Sequence, residues 1–267
     1  MAIWRYADTI KEVSTIKSAM AVPNCPFCSS PIELLRNDKE DLGGHGEYVT
    51  DIDQYWACGI CGWWKGYRSY RHTDFGLRIF SEYGAAAALK TLDLNDISLP
   101  VEEVRSYLAA KYDARFEIHP RLFELVVASV FRDHGYLSEA TAYSNDGGID
   151  VVLRGNEGQQ IGVQVKRYKD AIEVEQIRSF TGALFLSDLR LTRGVFVTTS
   201  TFQSGGLKAA DKATLRGIAI ELVDAPKFFE SLKLAQREMY RSTADLKTSI
   251  DTDAFIMLSS FNHRKRF

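Results

Sequence analysis

The sequence predicts an α/β protein with a mixed central sheet flanked by helices, and a smaller N-terminal domain that contains all four cysteines. In the C-terminal half, short apolar runs alternate with longer helical patterns, which is typical of a sheet covered by helices on both faces. The 267 residues, 45% of them hydrophobic, are enough for one good core and a smaller appendage. We therefore expect two structured regions of unequal size.

Two apolar runs near the middle of the chain predict a pair of neighbouring strands. The run 149–153 follows two glycines and is too short for a helix, and the run 160–166 follows a short polar turn. Gln164 and Lys166 are two positions apart, so they lie on the same face of the second strand. If the two strands pair antiparallel, Asp150 at the start of the first strand lies near both side chains. A carboxylate, an amide and an ammonium then meet at one edge of the sheet.

Such a cluster suits the hydrolysis of phosphodiesters. Mg²⁺ prefers oxygen ligands and keeps several waters, so a carboxylate such as Asp150 can hold it. The bound metal polarises the phosphate and helps to form a hydroxide, while a neighbouring lysine stabilises the developing charge. The alternative is a solvated edge strand on which an Asp and a Lys occur together by chance.

A helix with a broad apolar face is predicted from Pro120 to His134, before these strands. Glu124 is the lone acid within its apolar run. The pattern alone favours a solvent-facing position for this side chain. Gly135 ends the helix in the expected way.

Five blocks of the sequence resemble the catalytic domain of Mrr-type restriction endonucleases, which belong to the PD-(D/E)XK nuclease superfamily. The blocks are Phe123–Ala128, Gly135–Tyr136, Asp146–Asp150, Gln164–Tyr168 and Gly194–Ser200. Their order and spacing agree with that family over about residues 115–225. The resemblance implies a restriction-endonuclease-like fold and a nuclease that acts on double-stranded DNA.

The resemblance also implies roles for four side chains. Asp150 is expected as a metal ligand, Gln164 at the metal or its water, and Lys166 as the catalytic lysine. The family commonly has Gln in this motif, where much of the superfamily has Glu. Because a neutral amide is a poorer Mg²⁺ ligand than a carboxylate, a second acid is expected. Glu124 matches the family's helix glutamate, and the expected catalytic cofactor is Mg²⁺ or Mn²⁺.

The four cysteines form two pairs with CxxC spacing, Cys25 with Cys28 and Cys58 with Cys61. This spacing predicts a tetrahedral zinc site, which is structural because four thiolates leave no open position. The alternatives are two disulfides, which a cytoplasmic chain disfavours, or a redox CxxC motif. The polar segment between the pairs is expected to form a long loop, with His45 as a loop residue rather than a ligand.

Two stretches combine cations with rings or hydroxyls. After Cys61, Lys65 and Arg68 lie among tryptophans and tyrosines, which indicates either a nucleic-acid surface or rings packed over a small core. After the second strand, Arg167 and Lys169 are candidate phosphate contacts or simply a solvated strand end. Ser200, which precedes a helix N-terminus, is a further candidate phosphate contact.

The chain is expected to divide into five segments. They are an N-terminal helix at 1–20, a zinc-ribbon domain at 21–75, a helical connector at 76–114, the nuclease domain at 115–225, and a C-terminal helix and tail at 226–267. The connector is predicted to be helical partly because of the alanine-rich run 84–90.

The formal net charge of −2 excludes a global basic signature, so any DNA-binding charge must be local. The sequence contains no early apolar run that suggests a signal peptide or a membrane span, so a cytoplasmic protein is expected. We expect a metal-dependent endonuclease that restricts foreign or modified DNA, and cutting both strands would call for a dimer or repeated events. The alternatives are a DNA-binding or defence-complex subunit whose nuclease site is partner-activated or inactive, and a repair or junction nuclease.

Overall fold

The computed structural model describes residues 3–6, 21–42, 48–74, 77–141, 147–155, 158–189, 191 and 193–242. The chain divides into two compact units. We call Met1–Leu92 with Gln236–Phe267 the cysteine unit, and Asp93–Ala235 the helix–sheet unit. Among the described residues, no helix combines the length and the apolar character that a bilayer crossing requires.

The cysteine unit contains a five-stranded antiparallel sheet in the order β1-β5-β4-β3-β2. The strands are β1 (Trp4–Tyr6), β2 (Ile32–Leu42), β3 (Tyr48–Cys58), β4 (Trp64–Asp74) and β5 (Leu77–Leu89). Four of these strands have 11 to 13 residues, which is long for a globular protein.

In the segment between the two CxxC pairs, the described residues 32–42 and 48–58 are paired strands and not the long loop that their polar composition suggested. β2 and β3 pair along their length, from Ile32 opposite Cys58 to Leu42 opposite Val49. Polar side chains meet across the strands, as in the hydrogen bond from Gln54 Nε2 to Asn37 Oδ1 at 2.8 Å. Such cross-strand pairs stabilise a sheet whose faces are polar. The sequence analysis did not predict these strands. His45 lies outside the described residues.

The alanine-rich run at 84–90 lies largely in β5, so the prediction of a helix there was wrong. β5 pairs with β4 on one side and with β1 on the other, which satisfies its backbone hydrogen bonds within the sheet. Ala85 and Ala87 are buried while Ala86 and Ala88 are partly exposed, the alternation of a strand. Tertiary pairing has overridden the high helix propensity of alanine. The predicted connector is helical only from residue 101 onward.

The start of the chain also differs from the predicted N-terminal helix. Trp4–Tyr6 form β1, with Trp4 opposite Leu89. Ile3 and Trp4 are both buried, and the pairing of β1 with β5 accounts for their position. The remainder of the predicted helix, residues 7–20, lies outside the described residues.

The helix–sheet unit has a second five-stranded sheet, in the order β10-β9-β8-β7-β6. Its elements are α1 (Val101–Ala110), a 3₁₀ turn (Tyr112–Phe116), α2 (Pro120–Asp133), β6 (Leu137–Ala140), β7 (Val151–Arg154), β8 (Gln160–Lys166), α3 (Val174–Leu186), β9 (Arg193–Thr198), α4 (Ser204–Thr214), β10 (Ala219–Val223) and α5 (Ala225–Ser242). β6, β7 and β8 pair antiparallel, whereas β8, β9 and β10 are parallel. The predicted mixed α/β sheet is confirmed.

Helices pack against this sheet through aromatic and aliphatic contacts. Phe180 of α3 meets Phe196 of β9 edge-on with ring centroids 5.6 Å apart, and α4 contributes buried Ala210 to the same cluster. Glycines permit the close approach, because a Cβ on Gly194 would lie 2.4 Å from Leu184 Cδ1. α2 packs against α5 through Phe123 and Phe228, whose ring centroids are 5.4 Å apart. The sheet is thus covered by helices, which fixes the strands that carry the candidate site.

Candidate active site and metal centre

The pairing of β7 with β8 brings together the first two predicted site residues. The ladder begins with Val151 opposite Val163, so Asp150 comes just before the paired residues of β7. The Asp150 N–H donates to the Val163 carbonyl at 2.8 Å, which holds Asp150 against β8 beside Gln164. Asp150 and Gln164 are only 6% and 7% exposed.

The Asp150 carboxylate is held by the backbone of the opposite strand. Its Oδ2 atom accepts a hydrogen bond of 2.6 Å from the Val165 N–H. Because the N–H and the C=O of one residue point to the same side of a strand, the Val165 carbonyl also lies on the Asp150 side. The anchored carboxylate therefore lies beside a backbone oxygen and the Gln164 amide.

Two glycines shape the chain just before Asp150. Gly147 and Gly148 have φ values of 62° and 84°, in the left-handed region that favours glycine. A Cβ on Gly148 would lie 3.4 Å from Gln164 Nε2 and 3.5 Å from Ala183 Cβ. The glycines thus turn the chain into β7 and leave room for the Gln164 side chain.

Lys166 ends β8, two positions after Gln164 and on the same face. It is half-buried, its register partner is Thr198 at the end of β9, and its carbonyl accepts from the Thr199 N–H at 3.1 Å. Asp150, Gln164 and Lys166 therefore lie at the edge of the sheet where β7 begins and β8 and β9 end, and Gln164 and Lys166 share one face.

Glu124 lies in α2, a helix that contacts β7 and β8. Its Oε2 atom forms an ion pair with Arg121 Nη1 at 2.8 Å, and the Glu124 side chain is 14% exposed. This carboxylate is neither solvent-facing, as its pattern alone suggested, nor isolated. Its service as a second acid of the site stays a prediction.

The donor set around Asp150 fits a hard divalent cation. A carboxylate, a side-chain amide oxygen and a backbone carbonyl are the oxygen donors that Mg²⁺ and Mn²⁺ prefer. In the part of the chain that the structure describes, only the cysteine cluster brings three or more His, Cys, Asp or Glu ligand atoms together. A cation at Asp150 would therefore rely on neutral oxygens and water for much of its coordination.

The predicted DNA-contact residues after β8 lie at the same end of the sheet. Arg167 is half-buried and its Nη1 atom donates to the Phe116 carbonyl at 2.9 Å. Lys169 is exposed. The Ser200 hydroxyl donates to the Lys169 carbonyl at 3.0 Å and is 8% exposed, so it ties the two strand ends together.

Arg115 also lies at this edge, although sequence reasoning missed it. Its guanidinium lies 3.7 Å from the ring centroid of Tyr112 and 3.9 Å from that of Phe116. Its Nε atom donates to the Thr199 carbonyl at 3.2 Å. The two flanking aromatics were the available signal, but a link to a residue 84 positions later cannot be read from local spacing.

The four cysteines converge as their spacing predicted. All four sulfur atoms lie within 4.8 Å of one another, with Cys25 Sγ 3.5 Å from Cys61 Sγ and Cys28 Sγ 3.4 Å from Cys58 Sγ. Hydrogen bonds among the thiols raise the pKa of Cys25 and Cys61 and lower the pKa of Cys28 and Cys58. Four soft donors at these separations fit a tetrahedral metal ion, so the cysteines could bind zinc.

The two CxxC turns repeat one backbone geometry. The Ser29 N–H donates to the Cys25 carbonyl at 2.9 Å, and the Gly62 N–H donates to the Cys58 carbonyl at 2.9 Å. Ser29 and Gly62 each follow the second cysteine of a pair and have φ values of 59° and 75°. The Ile60 N–H also donates to Cys58 Sγ at 3.5 Å. Two equivalent turns thus present two thiols each.

The tryptophans near the cysteines belong to the core of the cysteine unit. Trp63 and Trp64 are 5% and 7% exposed, and Trp63 Nε1 donates to the Ala87 carbonyl at 2.9 Å. Trp4 Nε1 donates to the Cys61 carbonyl at 2.7 Å. Of the two interpretations of this aromatic stretch, the structure favours packed rings for these three side chains.

Lys65 and Arg68 are both engaged within the sheet. Lys65 is 1% exposed, and its Nζ atom donates to the Val22 carbonyl at 2.7 Å. Burial lowers the pKa of Lys65 below its ordinary value. The expectation of a phosphate contact by Lys65 disagrees with this burial, which arises because Lys65 faces inward on β4. Arg68 donates to both carboxylate oxygens of Asp51, at 2.9 and 3.3 Å, and remains partly exposed.

Residues 116–232 match the family model for the Mrr catalytic domain, described as a restriction endonuclease. No curated protein matches the sequence. Among solved structures, a repair endonuclease from Pyrococcus abyssi is similar at 13% identity and a TM-score of 0.27, covering 72% of this chain and 86% of its own. The EndoMS–dsDNA2 complex is similar at 14% identity and a TM-score of 0.26, covering 84% of this chain and 97% of its own.

The matched residues 116–232 lie within the helix–sheet unit, whose mixed sheet is covered by helices. This region is similar to the catalytic domain of Mrr-type restriction endonucleases. The sequence resemblance to this family is therefore confirmed for the matched region, and a cysteine cluster suited to a metal ion precedes it in the chain.

Proposed function

We propose that this protein is a metal-dependent DNA endonuclease that hydrolyses phosphodiester bonds. The observation that carries the proposal is that Asp150, Gln164 and Lys166 lie at one edge of the sheet, where the Val165 N–H donates to the Asp150 carboxylate. This cluster belongs to a domain that matches a restriction endonuclease family. The three side chains supply a metal ligand, a neutral oxygen donor and a positive charge, which together suit the hydrolysis of a phosphate diester.

Each residue has a distinct task in this proposal. Asp150 holds the cation with a carboxylate that the Val165 N–H keeps in place. Gln164 coordinates the cation or orients its water through the amide oxygen. Lys166 directs the attacking water and stabilises the negative charge that develops on the phosphate. Glu124 adds the second negative charge, and its pairing with Arg121 orients it.

Two kinds of metal ion are part of the proposal. Mg²⁺ or Mn²⁺ fits the oxygen donors at Asp150 and, when bound, supplies Lewis-acid activation of the phosphate and of water. Zn²⁺ fits the four thiols of the cysteine cluster, where it would be structural.

The proposed DNA contacts lie in both units, and most of them are around the edge that carries Lys166. Arg167 and Lys169 follow the catalytic strand directly and are the principal candidates for phosphate contacts. Ser200 can accept or donate at the same place, although it also links the strand ends. Arg68 offers a partly exposed guanidinium in the cysteine unit. Lys65 is left out because it is buried.

We further propose that the enzyme acts in the cytoplasm in the restriction of foreign or modified DNA. Cleavage of both strands would require a homodimer or two successive events. A repair or junction nuclease remains the alternative on the same fold, because a fold does not specify the DNA structure that is cut.

One observation favours a second candidate function. In this candidate the protein is a DNA-binding subunit whose nuclease site is inactive or needs a defence partner for cleavage. Gln164 is neutral and buried beside Asp150, so this pair supplies one carboxylate where two would bind the cation more tightly. In this version the same residues bind DNA but cut only when another protein completes the site.

The test is cleavage of supercoiled plasmid, methylated and unmethylated, with Mg²⁺ or Mn²⁺ against EDTA. Wild type should nick or linearise the plasmid in a metal-dependent way, and Asp150→Ala and Lys166→Ala should each reduce the rate by about 100-fold or more. A preference for methylated or unmethylated plasmid would support restriction.

Lys227→Ala is a suitable control because Lys227 is exposed on α5 and its loss removes one positive charge, as Lys166→Ala does. Binding without cleavage on every DNA would instead support the partner-dependent candidate. Cleavage that persists at the wild-type rate in Asp150→Ala would refute the proposed site.

A further inference from the structure

A groove between α3 and α4 has a charge pattern that the catalytic site does not use. It has a volume of about 850 Å³ and is lined by twelve residues, four of which are cationic and none acidic. The cations are Arg178, Lys208, Lys212 and Arg216. All four are exposed, and Arg178 also pairs with Glu175 at 2.8 Å. The groove therefore presents a concentrated positive field in a protein whose formal net charge is −2.

The cations on α4 are arranged as a row. Lys208 and Lys212 are four residues apart, so they lie on one side of the helix, and Arg216 continues that spacing just beyond the last turn. Four helical residues span about 6 Å, so the row repeats a positive charge at that interval. A regular line of cations suits a regular line of anions, which is the pattern of a phosphodiester backbone.

An exposed aromatic ring lies at one end of the groove. Phe185 lines it and is 75% exposed. An aromatic ring beside a row of cations is the combination that binds single strands, because bases stack on the ring while cations hold the backbone. In a duplex the faces of the bases are stacked on one another, so this ring favours a single strand.

The other end of the groove lies next to the catalytic edge. Val174 and Gly205 line it and belong to the first turns of α3 and α4, with Val174 Cβ 3.5 Å from the position of a Gly205 Cβ. Just before these helices, Ile172 and Phe202 form a parallel bridge. A strand in the groove would thus lead away from the edge that carries Lys166.

A second copy of this chain is the competing occupant, because Leu186 and Leu215 are also exposed nearby, at 79% and 87%. In a two-fold symmetric dimer the same patch of each copy meets the other. The four cations of one groove would then face the four of its partner, and like charges across an interface are unfavourable. A polyanionic occupant removes this conflict.

We propose that the groove between α3 and α4 binds a single strand of DNA, with Lys208, Lys212 and Arg216 on its phosphates and Phe185 stacked on a base. The inference rests on the proposed nucleic-acid function, but it concerns a surface outside the catalytic cluster. It provides a second contact that retains one strand next to the site of cleavage.

The test measures binding of a fluorescein-labelled 30-nucleotide single strand in EDTA, by anisotropy over a range of salt concentrations. Lys208→Ala/Lys212→Ala should weaken binding about tenfold and reduce the salt slope by about 1.4, because two phosphate contacts are lost. Phe185→Ala should weaken binding about tenfold with an unchanged slope, since stacking releases no counterions. The matching duplex should be affected much less by Phe185→Ala.

Two controls separate groove binding from a general charge effect. Lys208→Arg/Lys212→Arg should retain binding, and Lys227→Ala/Lys233→Ala removes the same charge from α5 and should leave binding unchanged. Equal weakening by both alanine pairs would overturn the proposal. Unchanged DNA binding in the groove variants would also overturn the proposal. This holds as well if light scattering shows that the variants disrupt a dimer.

Failure of the groove and failure of the proposed enzyme give different results. If wild type binds the single strand through the groove but never cleaves DNA, the groove stands and the nuclease proposal fails. If wild type cleaves plasmid and the groove variants bind as wild type does, the nuclease proposal stands and the groove is refuted.

Discussion

The two sheets of this protein have five strands each, but different interactions define them. In the cysteine unit, long antiparallel strands carry polar cross-strand pairs, and buried tryptophans lie near four converging thiols. In the helix–sheet unit, the strands have 4 to 7 residues and are buried by helices. We infer that the first sheet depends on a metal centre, whereas the second depends on an apolar core.

The two candidate metal sites also differ in their ligands and in whether a substrate can reach the bound ion. Four thiols form a closed site, because a tetrahedral ion bound to them has no position left for a substrate. The site at Asp150 offers one carboxylate and neutral oxygens, so a bound ion would keep waters that can react or be displaced. One unit therefore suits a structural ion and the other a catalytic ion.

Removal of the metal ion that we propose at the four thiols should have the largest effect, and this effect should differ between the two units. Cys61→Ser, or treatment with a strong chelator, should unfold the cysteine unit, because structural zinc supplies an apparent free energy of about 10 kcal/mol or more. All four tryptophans, at positions 4, 56, 63 and 64, belong to this unit, so their emission reports its unfolding. The helical circular dichroism signal should largely remain.

Ser29→Gly is the matched control in the same kind of turn. Ser29 has a φ of 59°, which glycine adopts without strain, so this variant should retain both the metal and the tryptophan emission. Loss of the helical signal together with the tryptophan signal would show that the two units do not differ in their dependence on metal.

The apolar core of the helix–sheet unit should be most sensitive to added volume. Gly194→Ala places a Cβ 2.4 Å from Leu184 Cδ1 and 2.8 Å from Phe180, and should destabilise the unit by about 1–3 kcal/mol. Gly182→Ala is the control, because nothing lies within 4 Å of its Cβ and alanine favours the helix by about 0.5–1 kcal/mol. Urea unfolding followed by helical circular dichroism measures both, and equal stability of the two variants would contradict close packing at Gly194.

Gln164, the neutral amide beside Asp150, allows a sharper test of the proposed catalytic cation. Gln164→Glu should lower the Mn²⁺ concentration for half-saturation by about tenfold, because a second carboxylate strengthens the binding of a hard cation. Direct titration of Mn²⁺ measures this change, with Asp150→Ala as the variant that should lose binding. An unchanged affinity in Gln164→Glu would place the cation away from this pair.

The smallest expected effect is a pH dependence in the cysteine unit. Burial holds the pKa of Lys65 below its ordinary 10.5, so the unfolded chain binds more protons than the folded one just below pH 10.5. The free energy of unfolding should therefore rise with pH through this range, and Lys65→Met should lack that part of the rise. Urea unfolding followed by tryptophan emission measures the difference, and parallel pH profiles would refute it.

The accuracy of sequence reasoning also differed between the two units. In the helix–sheet unit, the periodic apolar runs and the glycines before Asp150 were sufficient to predict the paired strands around residues 150 and 164. In the cysteine unit, spacing correctly brought Cys25, Cys28, Cys58 and Cys61 together. The strands around them were missed, because their polar and alanine-rich composition resembles that of loops and helices.

The sequence by itself determined the features that local chemistry specifies. A CxxC pair presents two thiols through one turn, and a period of two places Gln164 and Lys166 on one face, whatever the rest of the chain does. Only the tertiary structure decided whether Lys65 is buried, that the run at 84–90 becomes strand, and that Arg115 reaches Thr199. These outcomes depend on partners distant in the sequence, and the contacts with those partners outweigh local propensity.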